Sequence, residues 1–266
     1  PSPPPLVPPS ASLPFTGRDA ELARIDAATA AGRLALIEGE AGIGKTRLAE
    51  EFVARAIGGG LALVGAAREL EQGLPYGPVL EALRGLAARP DWPATRAALG
   101  LEPIWLREAA RLLPELAGPG EAAGALAASP DEARLWEALA RLLLALARHT
   151  PLALVLDDLH WADASSLGLL GYLLRRLEGA PVRLLATARP VEPRGPLAGL
   201  VAALTREGRL ERLALRRLSE AETARLARAL SPGAADELAA WLQRNAEGNP
   251  YILGELVRLA RDEGAL

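Results

Sequence analysis

The chain has 266 residues, a formal net charge of −3, a hydrophobic fraction of 50% and neither cysteine nor methionine. That length and apolar content fit one large folded domain, or one with a small appendage, and exclude a disordered chain. Without cysteine there is no disulfide framework, zinc–thiolate site or cysteine nucleophile; two histidines leave little for a histidine-rich metal centre, and near-neutral charge argues against a nucleic-acid-binding face in this segment.

Residues 1–14 (PSPPPLVPPSASLP) hold seven prolines and show no burial periodicity, so they read as a polyproline-like linker. They lack the basic-then-apolar pattern of a signal peptide. No initiator methionine precedes them, so the chain reads as an excised piece of a longer protein, with partner domains expected upstream and downstream. No run approaches the roughly 18 uncharged apolar residues of a membrane span, which predicts a cytoplasmic protein without a membrane partner.

Order begins near Phe15-Thr16-Gly17-Arg18. A helix follows with Leu22 and Ile25 at helical spacing, and Gly32 ends it. The apolar run at 34–37 is the mark of a strand buried on both faces. A glycine-rich loop leads into a helix over 45–56, stopped by Gly58-Gly59-Gly60, and a second buried strand covers 61–64. Strand, loop, helix and strand in about 30 residues make a βαβ unit.

Residues 78–149 read as helices broken by Gly/Pro loops. The last has a start signal, with Ser129 as N-cap, Pro130 at N1 and Glu132 at N3. A third buried strand spans 152–156, Asp163 caps a helix over 164–177, a fourth strand spans 182–187 and a fifth 210–215. Ser219 and Glu222 form a capping box, and helices broken at 231–233 and 248–250 run to the end. The expected fold is α/β: a mostly parallel five-stranded sheet flanked by helices, with a helical subdomain at the C-terminus. Its expected divisions are a linker over 1–14, an α/β domain over 15–215 with a helical insertion at about 78–149, and a helical subdomain over 216–266.

Gly39-Glu40-Ala41-Gly42-Ile43-Gly44-Lys45-Thr46 matches G-x-x-x-x-G-K-[ST] in full, between a buried strand and a helix. Glycines let the backbone turn its N–H groups inward around phosphate oxygens. The helix N-terminus adds orphan donors and a positive dipole. Lys45 reaches the β- and γ-phosphates, and the Thr46 hydroxyl ligates Mg²⁺. Of the 30 cationic side chains, 29 are arginine and only this one is lysine. A narrow cradle needs a compact charge on a flexible stem, where a guanidinium fork fits poorly.

The third strand ends in Asp157-Asp158, which puts carboxylates at the C-terminal edge of the sheet, where open α/β folds bind ligands. Asp157 is the candidate Mg²⁺ ligand, and Asp158 the candidate to orient or deprotonate an attacking water. Standing alone, the pair would read equally well as a helix cap and its solvated neighbour.

These residues resemble the signal-transducing STAND-class P-loop ATPases. Phe15-Thr16-Gly17-Arg18-Asp19-Ala20-Glu21-Leu22 looks like their G-R-x-x-E-L entry, and residues 39–48 like their phosphate loop. Leu156-Asp157-Asp158-Leu159-His160-Trp161-Ala162-Asp163 resembles the D-D-L-H-W-A-D segment in large ATP-binding LuxR-type bacterial regulators, a module also found in some SARP-type regulators, cyclases and kinases. Thr187-Ala188-Arg189 falls at the class's sensor-1 arginine, and Gly248-Asn249-Pro250 at the G-N-P element of its lid.

The resemblance implies an ATP/ADP switch with slow hydrolysis, serving signal transduction or transcription regulation, and self-assembly in the ATP state. It places Arg189 near the γ-phosphate with a catalytic role beside Lys45 and Asp158. Pro250 then packs on the adenine, while backbone around 15–18, including Gly17 and Arg18, lines the base. With Gly39, Ala41, Gly42, Ile43, Gly44, Thr46 and Arg47 these make up the expected nucleotide site. An AAA+ remodelling ATPase, a P-loop kinase and a non-hydrolysing scaffold stand as alternatives. His160 reads as a packing or loop-ordering residue, since P-loop chemistry needs no histidine.

Overall fold

The computed structural model describes residues 13–118 and 132–263. The segment up to residue 12 and the helix start read at Ser129 and Pro130 lie outside them. Five strands form one sheet: β1 Leu34–Glu38, β2 Leu61–Ala66, β3 Leu152–Asp157, β4 Val182–Ala188 and β5 Leu210–Ala214. Their spatial order is β2-β3-β4-β1-β5, and every neighbouring pair is parallel. Parallel neighbours need crossovers, and helices supply them.

The crossovers explain the continuous apolar runs. In β1, Leu34 and Leu36 enter the core on one face of the sheet, while Ala35 and Ile37 enter the core on the other. Helices α1 Asp19–Ala30 and α2 Lys45–Ala56 cover the Ala35/Ile37 face. The Leu34/Leu36 face packs on α3 Gly77–Ala87, α4 Trp92–Ala98, α5 Pro103–Ala110, α6 Glu132–Ala147, α7 Ala164–Arg176 and α8 Pro196–Arg206. The sheet is all-parallel, and no helix among the described residues is long and apolar enough to cross a membrane.

Several strands outrun their apolar segments. β1 extends to Glu38, opposite Ala188, and β2 extends to Ala66, opposite Asp157. Ladder hydrogen bonds, not hydrophobicity, decide where a strand stops. Glu38 is buried at 5% exposure and takes a bidentate pair from Arg212 on β5 at 2.7 and 2.8 Å. Asp163 caps α7 by accepting the Ser166 N–H.

Three further helices, α9 Glu220–Leu230, α10 Ala235–Ala246 and α11 Pro250–Asp262, bury a separate core around Leu226, Leu242, Leu253 and Val257. Ser219 and Glu222 form a capping box on α9, and Asn249 caps α11 through the Tyr251 and Ile252 N–H groups. Gly248 sets the corner between α10 and α11. Its φ is +72°, and a Cβ there would lie 2.0 Å from the Leu218 carbonyl oxygen.

Gly248→Ala meets both left-handed strain and a backbone clash. It is expected to destabilise the fold by at least about 2 kcal/mol, read from urea unfolding.

Candidate functional site

All five strands point their C-terminal ends to one edge, and the chemistry-bearing residues collect there. The loop between β1 and α2 turns through left-handed backbone at Gly42 (φ +75°) and Gly44 (φ +93°), the residue preceding α2. Ile43 is 3% exposed and anchors the loop in the core under α2.

Lys45 opens α2, and its Nζ donates to the Gly39 and Glu40 carbonyls at 3.0 Å each. Burial pulls its pKa down, opposed by the charges of Asp158 and Asp157. Thr46 donates its hydroxyl to Asp157 Oδ2 at 3.0 Å. The other Asp157 oxygen accepts from Thr187 on β4, whose hydroxyl oxygen also accepts the Asp158 N–H at 3.0 Å.

Asp158 leaves the strand in left-handed backbone, φ +54°. Burial raises its pKa, and the neighbouring Asp157 charge adds to that, against Lys45 and Arg189. His160 follows, with Nδ1 accepting the Arg189 backbone N–H at 3.3 Å and standing 3.7 Å from an Asp158 carboxylate oxygen. One nitrogen cannot accept from Arg189 and donate to Asp158 together. Burial, then the charges of Arg189 and Lys45, lower the His160 pKa from 6.5 to about 4, so the imidazole is neutral and Nδ1 is the acceptor.

A cavity of about 590 Å³ opens between this edge, the entry segment and the C-terminal helices. Lys45, Thr46, Asp158 and Arg189 line it from the sheet edge, and Leu13, Phe15, Leu218, Leu226 and Leu253 from the entry segment and the C-terminal part. Helix α11 reaches the loop directly, because the Tyr251 N–H donates to the Gly42 carbonyl at 3.1 Å.

Residues 41–47, Arg18, Asp158, Arg189 and Pro250 all line this cavity. Arg18 is 7% exposed and spends its guanidinium on Glu21 and the Arg216 carbonyl. Three expected residues lie off the lining. Gly17 packs against Glu222 of α9, Gly39 sits behind the loop with its carbonyl on Lys45, and Asp157 stands behind Thr46. Thr187 joins the site although no motif marks it for that role; its one signal in the sequence is a hydroxyl inside an apolar strand, and it is 0% exposed.

Residues 14–186 match the AAA ATPase domain family model. Over 173 residues the chain is 32% identical to an uncharacterized protein of Rhizobium meliloti (strain 1021), covering 60% of this chain. The chain spans only 16% of that relative's length. In fold it is similar to a Walker-type ATPase of Pyrococcus abyssi (TM-score 0.64, 14% identity, 97% of this chain and 71% of that one). It is also similar to a signal transduction ATPase with numerous domains and a tetratricopeptide repeat sensor from Pyrococcus horikoshii (TM-score 0.50, 17% identity, 90% and 29%). At these identities the structural likeness concerns the fold.

Thr187→Val keeps the shape but strips Asp157 of a donor and the Asp158 N–H of its acceptor. A loss of about 1–3 kcal/mol in urea unfolding is expected. His160 gives a pH signature: between 6.5 and about 4 the unfolded chain binds more protons than the folded one. Stability therefore falls as pH drops through that window. His160→Asn, which keeps an acceptor near Nδ1, should flatten this part of the Tm-against-pH curve.

Proposed function

Because this chain belongs to the AAA ATPase domain family, we propose that it is an ATP/ADP-binding, Mg²⁺-dependent switch module of a larger bacterial signalling or transcription-regulatory protein, cytoplasmic and slow in hydrolysis. One observation carries the switch reading. The N-terminal end of lid helix α11 is hydrogen-bonded to the phosphate loop itself, Tyr251 N–H to Gly42 carbonyl at 3.1 Å. Whatever occupies that loop acts on the lid's attachment.

The cavity suits a nucleotide. Cationic and acidic side chains share the lining with apolar ones of the kind a purine needs, and left-handed Gly42 lets the loop turn where a Cβ would meet Tyr251. A hard divalent cation also fits, since Thr46 Oγ1 and Asp157 Oδ2 form an adjacent oxygen pair. Thr46 and Asp157 would hold Mg²⁺, which would supply positive charge to offset that of the phosphates.

In this reading Lys45 exchanges the Gly39 and Glu40 carbonyls for β- and γ-phosphate oxygens. Gly39, Ala41, Gly42, Ile43, Gly44 and Arg47 shape the cradle. Arg189 reads the third phosphate. Asp158 orients or deprotonates the attacking water, and its raised pKa favours proton uptake. Pro250 packs on the adenine, with Gly17 and Arg18 in the segment beside the base. Residues 15–215 act as the nucleotide-binding domain and 216–266 as its lid, residues 1–14 are a linker, and the rest of the protein carries input and output. Self-assembly in the ATP form is the expected consequence.

Denaturing the purified protein and identifying any released nucleotide by chromatography tests this. Stoichiometric ADP is the expected result, and Lys45→Arg should weaken nucleotide binding at least about tenfold, the worth of one charge-assisted hydrogen bond. No released nucleotide, together with no measurable ATP or ADP affinity, would overturn the reading. Brisk steady turnover by this chain alone would point to a remodelling ATPase or a kinase.

A further inference from the structure

Two consecutive residues of the turn after β3 hold Arg189 at two points. The short 3₁₀ turn Leu159–Trp161 leads directly from Asp158. Trp161 is partly buried and packs against the same core as Leu159 and Ala162, so its ring is fixed from behind. The Arg189 guanidinium carbon lies 5.5 Å from the centroid of that ring. The His160 ring stands 4.7 Å from the Trp161 ring, tilted by 41°, and its Nδ1 takes the Arg189 backbone N–H.

Arg189 itself is exposed at the end of β4. Among the described residues no carboxylate lies within 4.0 Å of its guanidinium. That separates it from Arg176 and Arg212, which are locked onto glutamates. An aromatic ring engages a guanidinium through its face and leaves the N–H groups on the edge free to donate. Arg189 lines the same cavity as Lys45, Thr46 and Asp158.

We propose that Trp161, seconded by His160, is a positioning residue for Arg189: the ring and the imidazole hold the arginine so that its edge donors meet the third phosphate, and Trp161 thereby sets the preference for ATP over ADP. The inference rests on the nucleotide reading of this site. An unheld arginine must give up rotamer freedom when it binds phosphate, whereas a stacked one has already lost it. Only a ligand with a third phosphate gains from that preparation.

The test measures affinities for ADP and for a non-hydrolysable ATP analogue by calorimetry. Trp161→Leu should weaken the ATP analogue about three- to tenfold, the span of a partly desolvated cation–π contact, and leave ADP within about twofold. Trp161→Phe keeps an aromatic face and should retain most of the preference. In an Arg189→Ala background, Trp161→Leu should leave the ratio unchanged. Equal losses for both nucleotides, or the same shift without Arg189, would make Trp161 merely structural and overturn the inference. If Trp161→Leu does not fold, Trp161→Phe decides, because the weaker face of Phe should still lower the ratio measurably and an unchanged ratio counts against the role. Wild-type protein that binds neither nucleotide would fail the site reading, whereas wild-type binding with an insensitive ratio fails this inference alone.

Discussion

The carboxylate of Asp157 accepts from the Thr46 hydroxyl on one oxygen and from the Thr187 hydroxyl on the other, and so joins the ends of α2, β3 and β4. Apolar burial cannot do this job. It is non-directional, and a strand that slips by two residues keeps its faces. β3 is not a neighbour of β1, because β4 stands between them in the sheet. A carboxylate with two oxygens spans that gap, and Thr187, opposite Ile37 in the ladder, passes the constraint back to β1. The Asp158 N–H on Thr187 extends the chain by one residue and fixes where the second carboxylate leaves the strand.

Around this lock the charges are arranged by burial as much as by partners. Burial is the largest influence on Lys45, Asp158 and His160 alike, weakening the charged form of each. Positive character on the sheet-edge side of the cavity therefore comes from Lys45, Arg189 and the N-terminus of α2, while the neutral His160 supplies an acceptor. The division matters for an anion site. A histidine that titrated near neutral pH would make phosphate affinity follow pH; one lowered to about 4 does not.

The layers and the loop were legible in the sequence because their signals are local. Short apolar runs bounded by glycine and acid give strands buried on both faces, and the glycine–lysine–threonine spacing is contiguous. The stops were less legible: β1 runs on to Glu38 because Ala188 pairs with it, and that partner is 150 residues away. The Glu38–Arg212 pair, the Thr187 hydrogen bonds and the Tyr251–Gly42 contact share this non-local character. Gly17 shows the opposite failure. The entry motif around it is contiguous, yet its left-handed backbone serves packing against Glu222, not the cavity lining. A motif gives residue types; which atom faces the ligand is decided by what packs behind.

The single lysine follows from the same distinction. Arginine in this chain works as a fork: Arg212 closes on both oxygens of Glu38, and Arg176 on both oxygens of Glu137. A carboxylate offers two acceptors in one plane, which a guanidinium matches. Lys45 meets a different arrangement. Its Nζ reaches the carbonyls of Gly39 and Glu40, successive residues whose oxygens belong to separate peptide planes. An ammonium has three rotatable donors and no plane of its own, so it can serve both carbonyls from one point and turn to new acceptors without moving the backbone. Donor shape decides in both cases: the fork suits Arg212 and Arg176, and the single ammonium suits Lys45.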